Sequence, residues 1–235
     1  MEEREAVLKA ENVSKYFDVK DSLGKVVNHV KAVENVSMEL YKGEIYGMVG
    51  ESGCGKSTFG RTLIRLLEPT AGKIELNGED ISHLDDKSLR PYRKQVQMVF
   101  QDPYTSLNPR IRVGDMLMEG LKIHGVKDKS ERMQTALDTL NKVGLRPEHF
   151  YRYPHEFSGG QRQRIGLARA LILKPEIIVC DEPVSALDVS IQAQVVNLLK
   201  ELREKENLSY VFIAHDMSVV KYISDRIGVM YLGHL

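Results

Sequence analysis

IYGMVGESGCGKSTFGRTLIRLL, residues 45–67, decides the fold: an apolar run, a glycine-rich loop and a helical run follow one another in that order. Its centre, Gly50, Glu51, Ser52, Gly53, Cys54, Gly55, Lys56 and Ser57, fits G-x-x-x-x-G-K-[ST], and a strand before and a helix after are the context this phosphate-binding loop requires. Glycines let the backbone wrap close to phosphate oxygens, so that successive N–H groups and the following helix N-terminus face the anion. Lys56 then reaches the β- and γ-phosphates, Ser57 ligates magnesium, and Thr58 belongs with them as a nucleotide contact. A merely structural glycine-rich turn is disfavoured because strand, motif and helix fall in order.

The motif alone names only a nucleotide. Its chemistry also needs an acidic residue at the end of another strand to hold magnesium. IIVCDE, residues 177–182, supplies Asp181 for the metal shell and Glu182 to polarise an attacking water. Both belong at carboxyl ends of parallel strands, where ligands bind in open α/β sheets. The alternative, an ordinary strand exit with two solvated acids, explains neither the pairing with the loop nor the metal requirement.

Working outward, short β-branched runs alternate with helical patterns, which predicts an α/β domain on a mainly parallel sheet. Strands are expected at Val7 to Val13, Glu44 to Val49, Val96 to Phe100, Ile177 to Cys180 and Ser209 to Ala214. Val30 to Leu40, and Lys73 to Leu76 ahead of the turn signal Asn77-Gly78, are read as an antiparallel β edge. Asp18 to Asn28, with Asp21, Ser22 and Gly24, reads as an exposed loop. Val113 to His124 and Lys129 to Val143 show helical spacing, so residues 102–158 are read as an α-helical subdomain inserted into a core formed by 1–101 and 159–235.

Composition sets further bounds. At 235 residues the chain can bury a substantial core without disulfides or structural metals. Lys plus Arg number 33 and Asp plus Glu 33, which leaves no broad basic footprint and disfavours nucleic acid as a partner. Cys54 and Cys180 match neither a disulfide framework nor paired metal spacing, and a reducing, cytosolic setting is the simpler reading. The acidic start MEEREAVLKAENV lacks the features of a secretory signal, and no run approaches the roughly 20 apolar residues of a membrane span. If this chain serves a membrane, it does so from outside the bilayer.

FSGGQRQRIGLARAL, residues 157–171, begins with a small polar residue and two glycines and continues as a basic helix, a second anion-binding helix start in one chain. Ser158 can cap that helix, and Gly159 and Gly160 permit a phosphate to approach beside Gln161. Alone, a capped surface helix would explain it equally well. The string resembles the signature motif of ABC ATPases, which in that family lies between the two nucleotide motifs, as it does here. Gln101, after QVQMVF, resembles the family's Q-loop; Ser185-Ala186-Leu187-Asp188 resembles its D-loop; His215, after YVFIA, resembles its switch histidine. Individually these residues read equally well as a solvated strand end, a helix N-cap and a polar residue closing a strand. Six elements in one order carry the resemblance across essentially the whole chain.

Membership of that family would imply one ABC nucleotide-binding domain over residues 1–235, with a P-loop NTPase (RecA-like) core, ATP and Mg2+ as cofactors, and ATP hydrolysis. It implies Glu182 as base or water-positioning group, His215 on the γ-phosphate, Gln101 as metal contact and link to the helical subdomain, and Lys56 among the catalytic groups. An aromatic ring near the N-terminus stacks on adenine; VSKYF offers Tyr16 or Phe17, and spacing from Val13 favours Phe17, with a core-facing ring as the alternative. In the family's head-to-tail dimer, Ser158, Gly159, Gly160, Gln161 and Asp188 complete the ATP site of a partner subunit.

GESGCGKSTFGRTL, QDPYTSLNPRIRVGD, RYPHEFSGGQRQRIGLARAL and DEPVSALDVSIQAQV are similar to strings of oligopeptide and dipeptide importer ATPases, a group that includes nickel importers. The resemblance implies peptide import at the cytoplasmic face of the cell membrane. It also implies a second ABC ATPase, two transmembrane permease subunits, and an extracytoplasmic binding protein that selects cargo. Asp102 to Arg112 would meet the permease, with Pro103 and Pro109 stiffening the segment and Leu107 presenting apolar surface. Rival readings are an ABC ATPase without a permease, acting in DNA repair or on ribosomes, and a regulatory nucleotide-binding module without turnover. The first lacks its usual heptad insertions, basic face or tandem domains here, and the second is disfavoured by Lys56, Asp181, Glu182 and His215 occurring together. The ending DRIGVMYLGHL, which stops at Leu235, suggests a trimmed C-terminus.

Overall fold

The computed structural model describes residues 5–102 and 106–235. In chain order the elements are β1 (Ala6–Lys20), β2 (Val26–Tyr41), β3 (Ile45–Gly50), α1 (Lys56–Leu63), β4 (Ala71–Leu76), β5 (Glu79–Asp80), α2 (Asp86–Leu89), α3 (Tyr92–Gln95) and β6 (Val96–Val99). They continue with α4 (Val113–Ile123), α5 (Lys129–Lys142), α6 (Gly159–Leu171), β7 (Ile177–Asp181), α7 (Val189–Glu206), β8 (Ser209–Ala214), α8 (Met217–Ile223) and β9 (Arg226–Met230). Two 3₁₀ turns, Pro147–Tyr151 and Pro154–Glu156, precede α6. Contacts divide the chain into two compact units, Met1–Arg93 with Ser209–Leu235, and Lys94–Leu208.

The first unit holds an antiparallel sheet in the order β2-β1-β4-β5 and a parallel ladder in which β3 pairs with β8 on one side and β9 on the other. Residues 45–49 and 209–214 are buried at every position, which is why IYGMV and SYVFIA read as continuous apolar runs rather than alternating ones. Phe59 and Leu63 of α1 are fully buried, as are Leu8, Val13 and Leu40 of the antiparallel sheet. Asn77 and Gly78 both have positive φ, 50° and 81°, the two-residue hairpin geometry their sequence predicts.

Asp18 to Asn28 is exposed but is mostly not a loop. The β1–β2 ladder runs out to Lys20 and back from Val26, and only 21–25 turn the chain. Asp21 closes that turn, its carboxylate accepting from Leu23 N and Lys25 N at 2.9 Å each, with Gly24 at φ 80°. Polar residues in this stretch mask strand periodicity, since a two-stranded ribbon standing in solvent has little core to advertise.

The second unit pairs β6 with β7 in parallel and surrounds them with helices. Residues 177–181 are buried throughout, and Leu117, Leu140, Ile165 and Leu199 bring α4, α5, α6 and α7 into its core. Asp128 caps α5 by accepting from Ser130 N at 2.7 Å, and Asn207, at φ 53°, ends α7 in the left-handed conformation. Among the described residues no helix is long and apolar enough to cross a membrane.

Candidate functional site

The residues singled out in the sequence fall into two groups, one in each unit. In the first unit β3 ends at Gly50, α1 begins at Lys56, and the intervening loop stands exposed at Glu51, Ser52 and Gly53. Gly55 has φ 108°, and a Cβ on it would lie 2.1 Å from the carbonyl oxygen of Ala32 in β2. Both the conformation and the close backbone demand glycine. Lys56 turns inward: its Nζ donates to the carbonyls of Gly50 at 2.8 Å and Glu51 at 2.7 Å and lies 3.7 Å from Cys54 Sγ. The residue is only 4% exposed, and among the described residues no carboxylate pairs with it. A buried ammonium without counter-charge, beside a helix N-terminus, is the electrostatic arrangement that favours an anion. Ser57 and Thr58 occupy the first turn of α1 on the same loop.

His215 follows β8 directly. Val49 of β3 is opposite Ala214 of β8, so Gly50 and His215 leave neighbouring strand ends. Phe17 lies on β1 opposite Val30 of β2, 39% exposed, with Lys15 Nζ 5.2 Å from its ring centre. Tyr16, the other aromatic candidate, is engaged elsewhere: its hydroxyl donates to Glu34 Oε1 at 3.3 Å and Lys31 Nζ lies 5.5 Å from its ring.

In the second unit Val99 of β6 is opposite Cys180 of β7, and Gln101 and Glu182 stand at the same offset beyond them. The strand ends thus bring the two side chains together, Gln101 Nε2 donating to Glu182 Oε2 at 2.9 Å. Glu182 has φ 45°, left-handed for a residue that is not glycine, a conformation costing roughly 1–3 kcal/mol and found where surrounding structure enforces it. Here the enforcement is a tight turn in which Ser185 donates to the Glu182 carbonyl from N at 3.3 Å and from Oγ at 3.1 Å. Asp181, the last residue of β7, is wholly buried, and burial together with its carboxylate pushes the Cys180 thiol far up from its ordinary value.

Ser158 opens α6 with a reciprocal cap: its N donates to Gln161 Oε1 at 3.1 Å, and Gln161 N donates to its Oγ at 3.4 Å. A Cβ on Gly160 would lie 2.5 Å from Ile191 Cγ2, so the glycine lets the start of α6 close on α7. Asp188 occupies the N-cap position of α7, but its side chain makes no cap hydrogen bond. Gln163, absent from the residues picked out in the sequence, is buried on α6 with Nε2 lacking a partner among the described residues.

The segment after Gln101 departs from expectation. Leu107 is 1% exposed, so it presents no apolar surface; it packs inward, and Arg169 of α6 donates from Nη1 to the Ser106 carbonyl at 2.5 Å. Asn108, Pro109, Arg110 and Arg112 are exposed there, while Pro103 lies outside the described residues. Lys15 and Val30, which flank Phe17, were not picked out in the sequence as its neighbours. Register with β1 is the signal that finds Val30.

Among the described residues no group of three or more His, Cys, Asp or Glu side chains could hold a metal by itself. Magnesium needs no such cage, since it is held by one or two carboxylates together with substrate phosphates. Ser57 offers a hydroxyl, Asp181 a carboxylate and Gln101 its amide oxygen, the hard donors it prefers. Because Gln101 spends Nε2 on Glu182, its oxygen is the atom left over.

Comparison with known proteins agrees with these features. The family model described as ABC transporter matches residues 33–185. The chain is 56% identical over 234 residues to the oligopeptide transport ATP-binding protein AppF of Bacillus subtilis, covering 99% of this chain and 71% of that protein. It is 62% identical over 208 residues to the oligopeptide transport ATP-binding protein OppF of Bacillus subtilis, covering 88% and 68% respectively. Among solved structures, the dimeric post-hydrolysis state of the ATP-binding cassette MJ0796 bound to ADP and Pi superposes with a TM-score of 0.86 at 30% identity, covering 97% of this chain and 96% of that one.

Proposed function

The chain belongs to the ABC transporter family, and from that membership we propose that it is the ATP-hydrolysing subunit powering peptide import across the cytoplasmic membrane. The observation that carries the reading is Lys56, a buried ammonium whose only partners among the described residues are two loop carbonyls and a sulfur. A nucleotide's β- and γ-phosphates supply the charge it lacks. Peptide as cargo follows from the likeness to oligopeptide and dipeptide transport ATP-binding proteins, 54–58% identical in Streptococcus mutans and Lactococcus lactis relatives.

In the proposed site Lys56 and the loop N–H groups hold the phosphates, Phe17 stacks on adenine, and Ser57, Asp181 and the Gln101 amide oxygen hold magnesium. That ion neutralises phosphate charge and orients the γ-phosphoryl group. Glu182 takes a proton from water as the water oxygen bonds to the γ-phosphorus and the bond to the β-phosphate oxygen breaks, leaving ADP and phosphate. The hydrogen bond from Gln101 fixes which carboxylate oxygen faces the water, and His215 contacts the γ-phosphate. Ser158, Gly159, Gly160, Gln161 and Asp188 act on the nucleotide of a second ABC ATPase. The helix start of α6 presents its positive end there, and the self-contained cap keeps its first turn in shape.

The partners in this scheme are a second, distinct ATPase subunit, two transmembrane permease subunits and an extracytoplasmic binding protein. The place of action is the cytoplasmic face of the membrane. The test is isolation of the complex from its own membranes through this subunit, followed by reconstitution in liposomes. Co-purification of a permease pair and peptide-dependent ATP hydrolysis are expected. Recovery with nucleic acid or ribosomes and no membrane protein would sink the transport reading.

A further inference from the structure

The β1–β2 ribbon has two faces of opposite character. On one, Asp18 pairs with His29 at 2.9 Å, and Tyr16 is tied to Lys31 and Glu34. On the other, Phe17 stands opposite Val30 and Val19 opposite Asn28, with no register shift between the pairs. That second face is apolar yet open, Val30 being 54% and Val19 40% exposed. Antiparallel ribbons ordinarily bury the apolar face and leave the polar one in water. Here the polar face is knitted together and the apolar face stands open at Val30 and Val19, with the mobile end of Lys15, 5.2 Å from the Phe17 ring centre, as the group that a flat apolar ligand would displace.

The ribbon's position relative to the phosphate loop sets the ligand's orientation. β2 touches the loop at Ala32, whose carbonyl oxygen presses on Gly55. Val30 lies two residues back along the strand, about 6.6 Å away. With phosphates in the loop, a ribose spans that interval and the base rests on Phe17 and Val30. The glycosidic nitrogen must face the phosphates, so the Watson–Crick edge of the base points the other way along the ribbon, toward Val19 and Asn28. Asn28 is the diagonal neighbour of Phe17, roughly 7–8 Å off and within reach of a base stacked there.

Asn28 is also oriented for the task. Its Oδ1 accepts from His29 N at 2.8 Å, which pins the amide and leaves Nδ2 as the outward donor. Adenine N1 is an acceptor, whereas guanine and hypoxanthine carry a proton at N1 and would meet that donor with another.

We infer that Asn28 reads N1 of adenine and is a specificity-determining residue of the ATPase, an inference that rests on the nucleotide reading of the loop and on Phe17 as base platform. Its effect is that of one net hydrogen bond, roughly 3- to 10-fold in affinity.

The experiment measures binding of ATP, 1-deaza-ATP and ITP to the full chain and to Asn28→Ala and Asn28→Asp by calorimetry. The unsubstituted chain should bind ATP roughly 3- to 10-fold tighter than 1-deaza-ATP. Asn28→Ala should bring that ratio to one without weakening 1-deaza-ATP, and Asn28→Asp, now an acceptor, should favour ITP. A ratio that survives in Asn28→Ala overturns the inference while leaving the nucleotide site intact. Absence of ATP binding in every chain overturns the underlying reading as well.

Discussion

Gln101 and Glu182 hold each other across the ends of two parallel strands, Nε2 of the amide donating to Oε2 of the carboxylate at 2.9 Å. Glu182→Gln keeps an acceptor for that hydrogen bond but removes the base. Turnover is expected to fall by about 10² to 10⁴ while ATP still binds. At saturating magnesium, where loss of the amide oxygen as a metal contact is offset, Gln101→Ala should slow the unsubstituted enzyme yet add less on the Glu182→Gln background, because Nε2 acts through the carboxylate. A double-mutant cycle on kcat, assayed with the partner ATPase present, reads this coupling. Additive effects would show that Gln101 works independently of Glu182.

Lys56→Met removes the ammonium and leaves the carbonyls of Gly50 and Glu51 without their donor. Hydrogen bonds to charged groups are worth about 1.5–3 kcal/mol, so ATP affinity should drop by roughly 10- to 150-fold. Titration with a fluorescent ATP analogue measures it. Since the buried charge is itself costly, the free variant should unfold at equal or higher temperature than the parent. A lower unfolding temperature would mean that the lysine is structural.

Two glycines should respond differently to alanine. A Cβ on Gly160 meets Ile191 Cγ2, the end of a side chain, and Ile191→Ala should restore most of what Gly160→Ala loses. A Cβ on Gly55 meets the Ala32 carbonyl at positive φ, and no side-chain change opposite relieves that. Thermal unfolding of both singles and the Gly160→Ala/Ile191→Ala pair separates the cases.

Burial beside Asp181 holds Cys180 protonated in the folded chain at pH values where an unfolded thiol ionises. Above about pH 8.5 the unfolded state therefore binds fewer protons than the folded one, and stability should fall as pH rises, by up to about 1.4 kcal/mol per pH unit from this group. Urea unfolding at pH 8, 9 and 10 should show a slope that Cys180→Ala reduces. Iodoacetamide applied to the folded protein should leave Cys180 unlabelled, as peptide mass spectrometry would show.

The glycine-rich loop's geometry and the buried strands were legible because their constraints are local: glycine at a left-handed position, a lysine at a set offset, apolar runs with no alternation. Asn77-Gly78 and the helices near 113 and 129 were legible for the same reason. What stayed hidden depended on partners distant in sequence. Tyr16 and Phe17 are adjacent and so face opposite ways, but only the register with β2 shows which partners each one meets. Leu107 looked like a surface offering because nothing nearby in sequence announces Arg169, sixty-three positions on, drawing Ser106 inward. The turn of Glu182 into positive φ had no composition signal, because glutamate is not a residue the backbone prefers there and the turn is held by hydrogen bonds from Ser185.

Arg169 lies on the helix that Ser158 begins, and it grips the Ser106 carbonyl while its guanidinium sits 5.9 Å from the Phe100 ring, next to Gln101. One side chain thereby ties the strand exit that carries Gln101, the segment that follows it, and the far end of α6. The helix whose opposite tip is Ser158 is thus pinned at its far end to the strand exit beside the amide that holds Glu182, so that one guanidinium joins stretches far apart in sequence.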